Sequence, residues 1–202
     1  MKTSTLSILA IISLTLMSWN NSLSDLTWES KLKDQNLEVF KSTGSGSKTA
    51  YKFIAQLNAG EEEVLEYLFD IDMIREKFPM CKSLEILEKR SDHDYIFYII
   101  LDFPMPLRDR DIVISVKQRK NKDGSYHITT LGLPDYLPAK SKLVRIPTLE
   151  SNTFLKMNKA NILLTQISTC DLGGSIPDFL VNMVIPRKIS QSFYKMKSKL
   201  EV

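Results

Sequence analysis

The chain has 202 residues, of which 43% are hydrophobic and 25% charged, a composition typical of one globular domain with a sizeable core. A formal net charge of +3 is too small to indicate a nucleic-acid binder, and the basic run at 117–122 contains no aromatic side chain on which a base could stack. Two histidines and no Cys-x-x-Cys motif leave a zinc site without its usual ligands, and neither a metal nor a cofactor is predicted.

The N-terminal segment differs in kind from the rest of the chain. Lys2 is followed by the uncharged apolar block Leu6–Met17, and polar residues return at Asn20. The block is shorter than the roughly 20 residues of a membrane span and has the order of a secretory signal peptide, although no Ala-x-Ala cleavage site follows it. Residues 1–22 are therefore predicted to be a signal peptide or an uncleaved N-terminal anchor, and residues 23–202 a periplasmic or secreted domain.

The two cysteines, Cys81 and Cys170, leave two alternatives open. An oxidising compartment would allow them to form a disulfide. Each also lies in an apolar or mixed neighbourhood, where a free cysteine packs as a small hydrophobic side chain. The geometry that decides between these alternatives cannot be read from sequence.

The first part of the domain is predicted to mix helix and strand. Apolar positions in Leu26–Phe40 favour a helix that leads into a strand, the glycines in Ser42–Ser47 are typical of a hairpin turn, and alternation favours a strand over Ala50–Leu57. A helix is predicted after Gly60, because three glutamates then lie at the positive end of the helix dipole. A second, short helix is predicted over Met73–Phe78.

From Ser83 onward the pattern is a succession of strands that ends in one long helix. The predicted strands are Leu84–Leu87, Tyr95–Phe103, Ile112–Lys117, Ser125–Leu131, Lys142–Ile146, Thr153–Met157 and Ile162–Thr169. Asp123-Gly124 is typical of a hairpin turn, and the closing helix is predicted over Ile176–Leu200. An antiparallel sheet with helices grouped around it is an α+β fold, and the last helix is long enough to cover the inner face of a curved sheet.

The most informative motif lies between two of these strands. Phe103-Pro104-Met105-Pro106-Leu107 is followed by Arg108-Asp109-Arg110-Asp111. The prolines fix a corner and end the strand, because proline cannot donate to a sheet ladder. Arg110 and Asp111 are expected to satisfy the polar groups of this corner and so to serve the fold rather than a ligand.

This corner resembles the signature of START domains, the lipid-transfer modules related to steroidogenic acute regulatory protein. Three further segments carry the resemblance: Trp28, the Val144-Arg145 strand, and the passage Asp171–Pro177 into the last helix. Together they span about Leu26 to Leu200. The resemblance implies a START/Bet v 1-like helix-grip fold, in which a curved antiparallel sheet holds the C-terminal helix over an internal apolar cavity for one lipid.

Candidate cavity residues follow from strand alternation and helix periodicity. Taken singly, each of them is more typical of a solid core, and it is the resemblance that implies a cavity lined by the group. They are Phe97, Ile99, Leu101, Phe103, Ile112, Ile114, Val116, Val144, Leu163, Thr165, Ile167, Phe179, Met183, Phe193 and Met196. The last strand alternates less distinctly, because Leu164, Gln166 and Ser168 form its other face. Some sterol-handling relatives carry a buried acid–base pair, whose positions fall near the apolar Phe97 and Val116. A ligand with long acyl chains is therefore favoured over a sterol.

A candidate membrane surface combines the basic face of the last helix with the apolar loop 133–138. Its predicted contacts are Tyr136, Leu137, Arg187, Lys188 and Lys195. The alternative is a solvated helix face whose cations suit the C-terminal end of the dipole. Pro186 interrupts the helix and is hypothesised to act as a hinge for lipid entry.

The leading functional prediction is a non-catalytic monomer that binds, and can transfer, one lipid or other hydrophobic molecule and touches a membrane surface transiently. The first alternative is a membrane-tethered lipid sensor or adaptor, in which residues 1–22 are retained. The second is a cyclase or hydrolase of the same superfamily. It is disfavoured because the predicted inner faces offer only Thr165 and Thr169 where an acid or base is needed.

Overall fold

The computed structural model describes residues 26–42, 49–70, 75, 80–158 and 161–201. The predicted signal peptide or anchor at 1–22, most of the turn predicted at 42–47 and nearly all of the helix predicted over Met73–Phe78 lie outside the described residues. The described chain forms ten strands and two helices in this order: β1 Trp28–Lys33, β2 Leu37–Ser42, β3 Thr49–Leu57, α1 Glu61–Phe69, β4 Cys81–Ser91, β5 Asp94–Leu101, β6 Arg110–Lys120, β7 Tyr126–Gly132, β8 Val144–Arg145, β9 Thr148–Asn158, β10 Asn161–Asp171 and α2 Asp178–Leu200.

The strands form one sheet in the order β1-β2-β3-β10-β9-β7-β6-β5-β4, and the short β8 pairs with the start of β6. Neighbours along this path are antiparallel, whereas β8 is parallel to β6. The sheet is curved, and α2 packs on its inner face. The predicted α+β helix-grip architecture is confirmed.

The main core lies between the inner face of the sheet and the two helices. Its buried side chains come from nearly every strand, with Val64 and Leu65 from α1 and Phe193 and Met196 from α2. A smaller apolar cluster lies on the other side of the sheet, where Ile96, Tyr98 and Val113 are covered by the loop that follows β7. The strands β5 and β6 are therefore buried on both faces, which explains why their sequences are almost continuously apolar.

The segment Leu26–Phe40 was predicted to be a helix that leads into a strand. The strand is present as β2, but the helix is wrong, because the residues before it form the antiparallel strand β1. Leu37 and Val39 are buried at a spacing of two residues, the period of a strand. The turn between the strands is fixed by Asp34, whose Oδ1 accepts hydrogen bonds from the backbone N–H groups of Asn36 and Leu37, each at 3.0 Å. Aspartate and asparagine stabilise turns in this way, so the polar triplet after Lys33 was the signal for a hairpin.

The helix predicted after Gly60 is confirmed. Glu63 Oε2 accepts a hydrogen bond at 3.0 Å from the backbone N–H of Gly60, and the three glutamates occupy the first turn. These contacts satisfy a donor that would otherwise be unpaired at the start of the helix. The helix thereby places the aromatic pair Tyr67 and Phe69 against the core.

The corner between β5 and β6 is held by a buried ion pair. Asp111 is fully buried and accepts hydrogen bonds from Arg145, with Nε at 3.1 Å from Oδ1 and Nη2 at 2.9 Å from Oδ2. The hydroxyl of Tyr98 donates to Asp111 Oδ2 at 3.1 Å. Arg145 also donates to the carbonyls of Pro134 and Leu137 in the loop after β7. The expectation that this acidic residue serves the fold agrees with these contacts.

Candidate functional site

A cavity of about 280 Å³ lies between the inner face of the sheet and the helices α1 and α2. Both helices and six strands contribute to its wall. The lining residues are Phe53, Tyr67, Leu68, Phe69, Phe97, Val116, Ile128, Thr130, Leu149, Ser151, Thr153, Leu164, Gln166, Ser168, Ile189, Ser192, Phe193 and Met196. The volume is at the low end of the roughly 300–1,000 Å³ found for small-molecule pockets.

One wall of the cavity is apolar. It combines Phe97 and Val116 from β5 and β6 with Ile128 from β7, and Phe193 and Met196 from α2 complete it. Phe193 and Met196 are almost fully buried. Contact with this wall removes apolar surface of a ligand from water, which contributes about 25 cal/mol for each Å².

A polar part of the lining, here called the polar wall, comes from the neighbouring strands β9 and β10, which also contribute the apolar Leu149 and Leu164. The Gln166 amide Nε2 donates to the hydroxyls of Ser151 and Ser168, at 2.8 and 2.9 Å. The two serine oxygens are themselves 2.8 Å apart. Thr130 and Thr153 add two hydroxyls to the same lining. The cavity therefore combines a mostly apolar lining with a few polar side chains, as expected of a site that orients its ligand.

The described residues that line the cavity include no aspartate, glutamate, lysine, arginine or histidine. Both cysteines are unpaired thiols, and burial raises the pKa of the Cys170 thiol, on β10, to about 12, with the charge of Asp171 contributing. A thiol with so high a pKa is protonated near neutral pH and is a poor nucleophile. His127 Nε2 lies 2.8 Å from Asn152 Oδ1, and its ring stacks on Phe154. The described residues contain no cluster of metal-ligating side chains.

Four of the residues predicted from sequence line the cavity: Phe97, Val116, Phe193 and Met196. Ile99, Ile112 and Ile114 are buried in the solid core beside it, and Leu101 packs against that core. Phe103 lines a second, apolar cavity of about 20 Å³ under the first half of α2. Val144 lies beside Gly173, where a Cβ atom would come within 3.2 Å of Val144 Cγ1 and 2.9 Å of the Arg145 carbonyl oxygen.

The predicted phase of β10 is wrong. Its even-numbered residues Leu164, Gln166 and Ser168 line the cavity, so Leu163, Thr165 and Ile167 lie on the outer face. There Thr165 pairs with Phe154, which is itself exposed. The prediction failed because β10 carries apolar residues on both faces. The polar Gln166 and Ser168 line the cavity, whereas sequence reasoning places polar side chains in solvent.

The first half of α2 also differs from the prediction. Phe179 and Met183 are 66% and 47% exposed and point away from the cavity, whereas Ile176, Leu180 and Val184 line the small second cavity.

Sequence reasoning missed the contribution of α1, namely Tyr67, Leu68 and Phe69, and that of β9, namely Leu149, Ser151 and Thr153. For α1 the apolar stripe itself was the available signal. For β9 the strand was predicted to begin only at Thr153, which left two of its lining residues outside the element.

The predicted membrane residues are separated by the sheet. Leu137 packs against the outer cluster with Ile96, whereas α2 lies on the inner face. The carbonyl of Leu137 also accepts a hydrogen bond from Arg145 at 2.9 Å, which holds loop 133–138 on the outer face. The loop is therefore not a neighbour of α2, contrary to the sequence-based prediction. Tyr136 is exposed and donates to Glu88 at 3.3 Å. On α2, Arg187 and Lys195 are exposed and Lys188 is half-buried, and their contact with a membrane stays a prediction. No helix in the described ranges combines the length and the apolar character needed to span a bilayer.

Comparison with known proteins places this geometry in a known fold. No protein-family model matches the chain. An uncharacterised protein of Pseudomonas aeruginosa is 26% identical over 161 residues, which cover 78% of this chain and 79% of the relative.

Among solved structures, a STAR-related lipid transfer protein from Xanthomonas axonopodis superposes with a TM-score of 0.76 at 24% identity, covering 87% of this chain and 99% of that one. Human StAR-related lipid transfer protein 5 gives 0.75 at 17% identity, covering 96% and 97%. A Streptomyces aromatase/cyclase gives 0.51 at 12% identity, covering 76% and 94%. The chain therefore has the START-domain fold, as its motifs predicted.

Proposed function

We propose that this chain binds one hydrophobic molecule in the cavity under α2 and exchanges it with a membrane surface, without catalysing a reaction on it. The observation that carries the proposal is the cavity of about 280 Å³, whose mostly apolar lining includes the polar wall. An empty cavity in a packed core forfeits roughly 24 cal/mol for each Å³. A bound molecule offsets this loss. Two of the structures with the same fold are named lipid transfer proteins, which supports a lipid as the ligand class.

The end of the molecule at the start of α2 is the part that we expect to meet the membrane. Met105, Phe179 and Met183 are 91%, 66% and 47% exposed. They belong to one end of the molecule, because the loop 103–107 and the first half of α2 enclose the same small cavity. Exposed apolar residues grouped in this way are typical of a membrane or protein contact. The nearby basic residue Arg187, on α2, would favour an anionic membrane surface.

The attachment of α2 supports entry of the ligand at the same end. Its second half is tied down by Tyr194, which donates to Asp34, and the residue that follows the helix, Glu201, accepts from the backbone N–H of Asn58 at 2.8 Å. Phe193 and Met196 bury the same half in the core. The first half has an exposed contact with the sheet, from Lys41 Nζ to Asn182 Oδ1 at 2.6 Å. Pro186 separates the two halves and lacks the N–H that would bond to the preceding turn. Displacement of the first half about Pro186 would open the second cavity and the route to the first.

A catalytic role is the less favoured candidate, although one enzyme shares the fold at lower similarity. Acid–base catalysis needs a positioned side chain such as His, Asp or Glu. The described lining supplies hydroxyls and one amide instead. The high pKa of the Cys170 thiol also disfavours a thiolate nucleophile.

We also propose that the domain acts in the periplasm or outside the cell, because residues 1–22 have the pattern of a signal peptide. A membrane-tethered sensor or adaptor is the alternative, and the two differ in whether this segment is retained. N-terminal sequencing of the protein purified from its native membrane and soluble fractions distinguishes them. A soluble form that begins near residue 23 supports secretion, and a membrane-bound form that begins at Met1 supports tethering.

Native mass spectrometry tests the binding proposal directly. The purified chain is incubated with a total lipid extract, separated from free lipid and measured without denaturation. We expect a one-to-one complex whose ligand, once released, has the same mass as in the extract. The absence of any complex would overturn the proposal of ligand binding. A released molecule with an altered mass would overturn the non-catalytic assignment instead.

A further inference from the structure

The hydrogen bonds on the polar wall can be counted proton by proton. Gln166, Ser151 and Ser168 form a triangle with three contacts of 2.8, 2.9 and 2.8 Å. Each contact needs one proton. The amide Nε2 supplies two, and one serine hydroxyl supplies the third. The second serine hydroxyl is therefore left with a proton that the triangle does not use.

The same count fixes the orientation of the amide. If the carbonyl Oε1 of Gln166 faced the serines, the two serine hydroxyls would supply only two protons for three contacts. Two oxygens would then lie within 3 Å of each other without a proton between them. The orientation with Nε2 toward the serines satisfies all three contacts. It leaves Oε1 as an acceptor, and no described residue donates a hydrogen bond to it.

The polar wall thus offers one free donor, a serine O–H, and one free acceptor, Gln166 Oε1. A hydroxyl group matches this pair, because it donates one hydrogen bond and accepts another. A carboxylate only accepts, so it would leave Oε1 without a donor and place a charge where no described lining residue has the opposite charge. Burial of an unpaired charge is strongly unfavourable. An ether oxygen likewise lacks the proton that Oε1 requires.

We infer that the ligand is an uncharged hydrophobic molecule with a hydroxyl group, and that this hydroxyl binds between Gln166 Oε1 and the free serine O–H while the apolar remainder lies against Phe97, Phe193 and Met196. This inference rests on the proposed function. The cavity of about 280 Å³ favours a compact or single-chain molecule. Either a ring alcohol or a chain alcohol presents the required group.

Matched probes test the inference by displacement of aminoanthracene, a neutral dye, from the cavity. The chain probes are dodecanol, dodecyl methyl ether and dodecanoate, each below its aggregation concentration. The ring probes are cholesterol and cholesteryl methyl ether. In at least one of the two series we expect the alcohol to bind tenfold or more tightly than its ether, because the ether leaves Gln166 Oε1 without a donor and an unsatisfied acceptor costs about that factor. Dodecanoate should bind more weakly than dodecanol at neutral pH.

Gln166→Leu should abolish the preference for the alcohol and leave the affinity for the ether within about twofold. Gln56→Leu is the matched control, because Gln56 is exposed on the outer face of β3. Equal affinities of alcohol and ether in both series on the wild-type protein would overturn the inference, and this comparison needs no folded variant. An equal loss of affinity for the alcohol and the ether in Gln166→Leu would overturn it as well, since the amide would then maintain the shape of the cavity without recognising the hydroxyl. If the dye itself fails to bind, the proposed function fails with the inference.

Discussion

Filling part of the cavity has calculable consequences for stability and binding. Ser192 lines the cavity from α2, and its hydroxyl makes no hydrogen bond to a described residue, so its removal leaves no partner unsatisfied. An apolar cavity of about 150 Å³ is large enough to admit benzene. The phenyl ring of Ser192→Phe would therefore occupy about half of the 280 Å³ and exclude a ligand.

The expected change in stability combines two opposing effects. Filling about 150 Å³ at roughly 24 cal/mol for each Å³ gains up to about 3.6 kcal/mol. Imperfect fit of the new ring costs about 1–3 kcal/mol. We expect the ligand-free variant to be more stable than the ligand-free wild type by about 1–2 kcal/mol, which corresponds to an increase in Tm of roughly 2–8 °C for a domain of this size.

Ligand should stabilise the wild type and leave the stability of Ser192→Phe unchanged. At a hundredfold excess over Kd, a ligand stabilises the wild type by about 2.7 kcal/mol, or roughly 5–11 °C, whereas Ser192→Phe should show no ligand-dependent shift. Differential scanning calorimetry with and without dodecanol measures both effects. Ser198→Phe is the control, because Ser198 is exposed on the same helix. A full ligand shift in Ser192→Phe would refute the reasoning, since the ligand would then bind elsewhere.

Three further predictions concern the framework of the site. Asp111→Ala removes the fully buried partner of Arg145, whose own side chain is 12% exposed, and should lower the free energy of unfolding by about 3–5 kcal/mol in urea titrations; a loss below about 1 kcal/mol would contradict a stabilising ion pair. Phe179→Ser should lower the affinity for anionic vesicles, measured by co-sedimentation, roughly tenfold. Met157 is exposed on β9, and Met157→Ser should leave this affinity unchanged; an equal loss of affinity in both variants would exclude a specific docking end. The hydrogen bond from Tyr194 lowers the pKa of Asp34 and, as the main cause, raises the pKa of Tyr194 to about 12. The stability difference between wild type and Tyr194→Phe should therefore be constant from about pH 4 to pH 10 and shrink on either side, by less than about 1 kcal/mol because the pair is exposed. A difference independent of pH would rule out this bond.

The pH dependence follows from the sign of each shift. Asp34 has a lower pKa in the folded protein than in the unfolded chain. Its contribution is therefore present above the unfolded value of about 3.9 and lost as the pH falls through the folded one. Tyr194 has a higher pKa when folded, so its contribution is complete below about pH 10 and lost as the pH rises toward 12. Both titrations act on the tether that holds the second half of α2.

The central strands and the two described helices were predictable from their apolar patterns, and the corner from its prolines and charged residues. β5 and β6 are buried on both faces and read as continuous apolar runs, and α2 carries an apolar residue every three or four positions. The N-terminal hairpin was not predicted, because apolar residues between Leu26 and Phe40 are spaced too irregularly to separate a period of 2 from one of 3.6. The Asp34 turn decides in favour of strands, because Asp34 Oδ1 accepts hydrogen bonds from the local backbone groups of the turn.

The cavity was predictable as a class of site but not residue by residue. Alternation assigns two faces to a strand, and it cannot decide which face is inner when both carry apolar residues, as in β10. Position in the sheet decides instead: β10 lies between β3 and β9, and the register pairs Ser168 with Ser151. That pairing depends on residues 17 positions apart, so it is a property of the fold rather than of either strand.

The polar residues explain both the volume and the chemistry of the site. Ser151, Ser168 and Ser192 have short side chains, as do Thr130 and Thr153, so the space that larger side chains would fill stays open. Leucines in their place would close the hollow and produce an ordinary core, since protein interiors otherwise pack to uniform density. Gln166 is the long member of the wall, and the serines hold its amide so that its carbonyl is kept for a ligand. The residues that make room for the ligand are therefore the ones that select it.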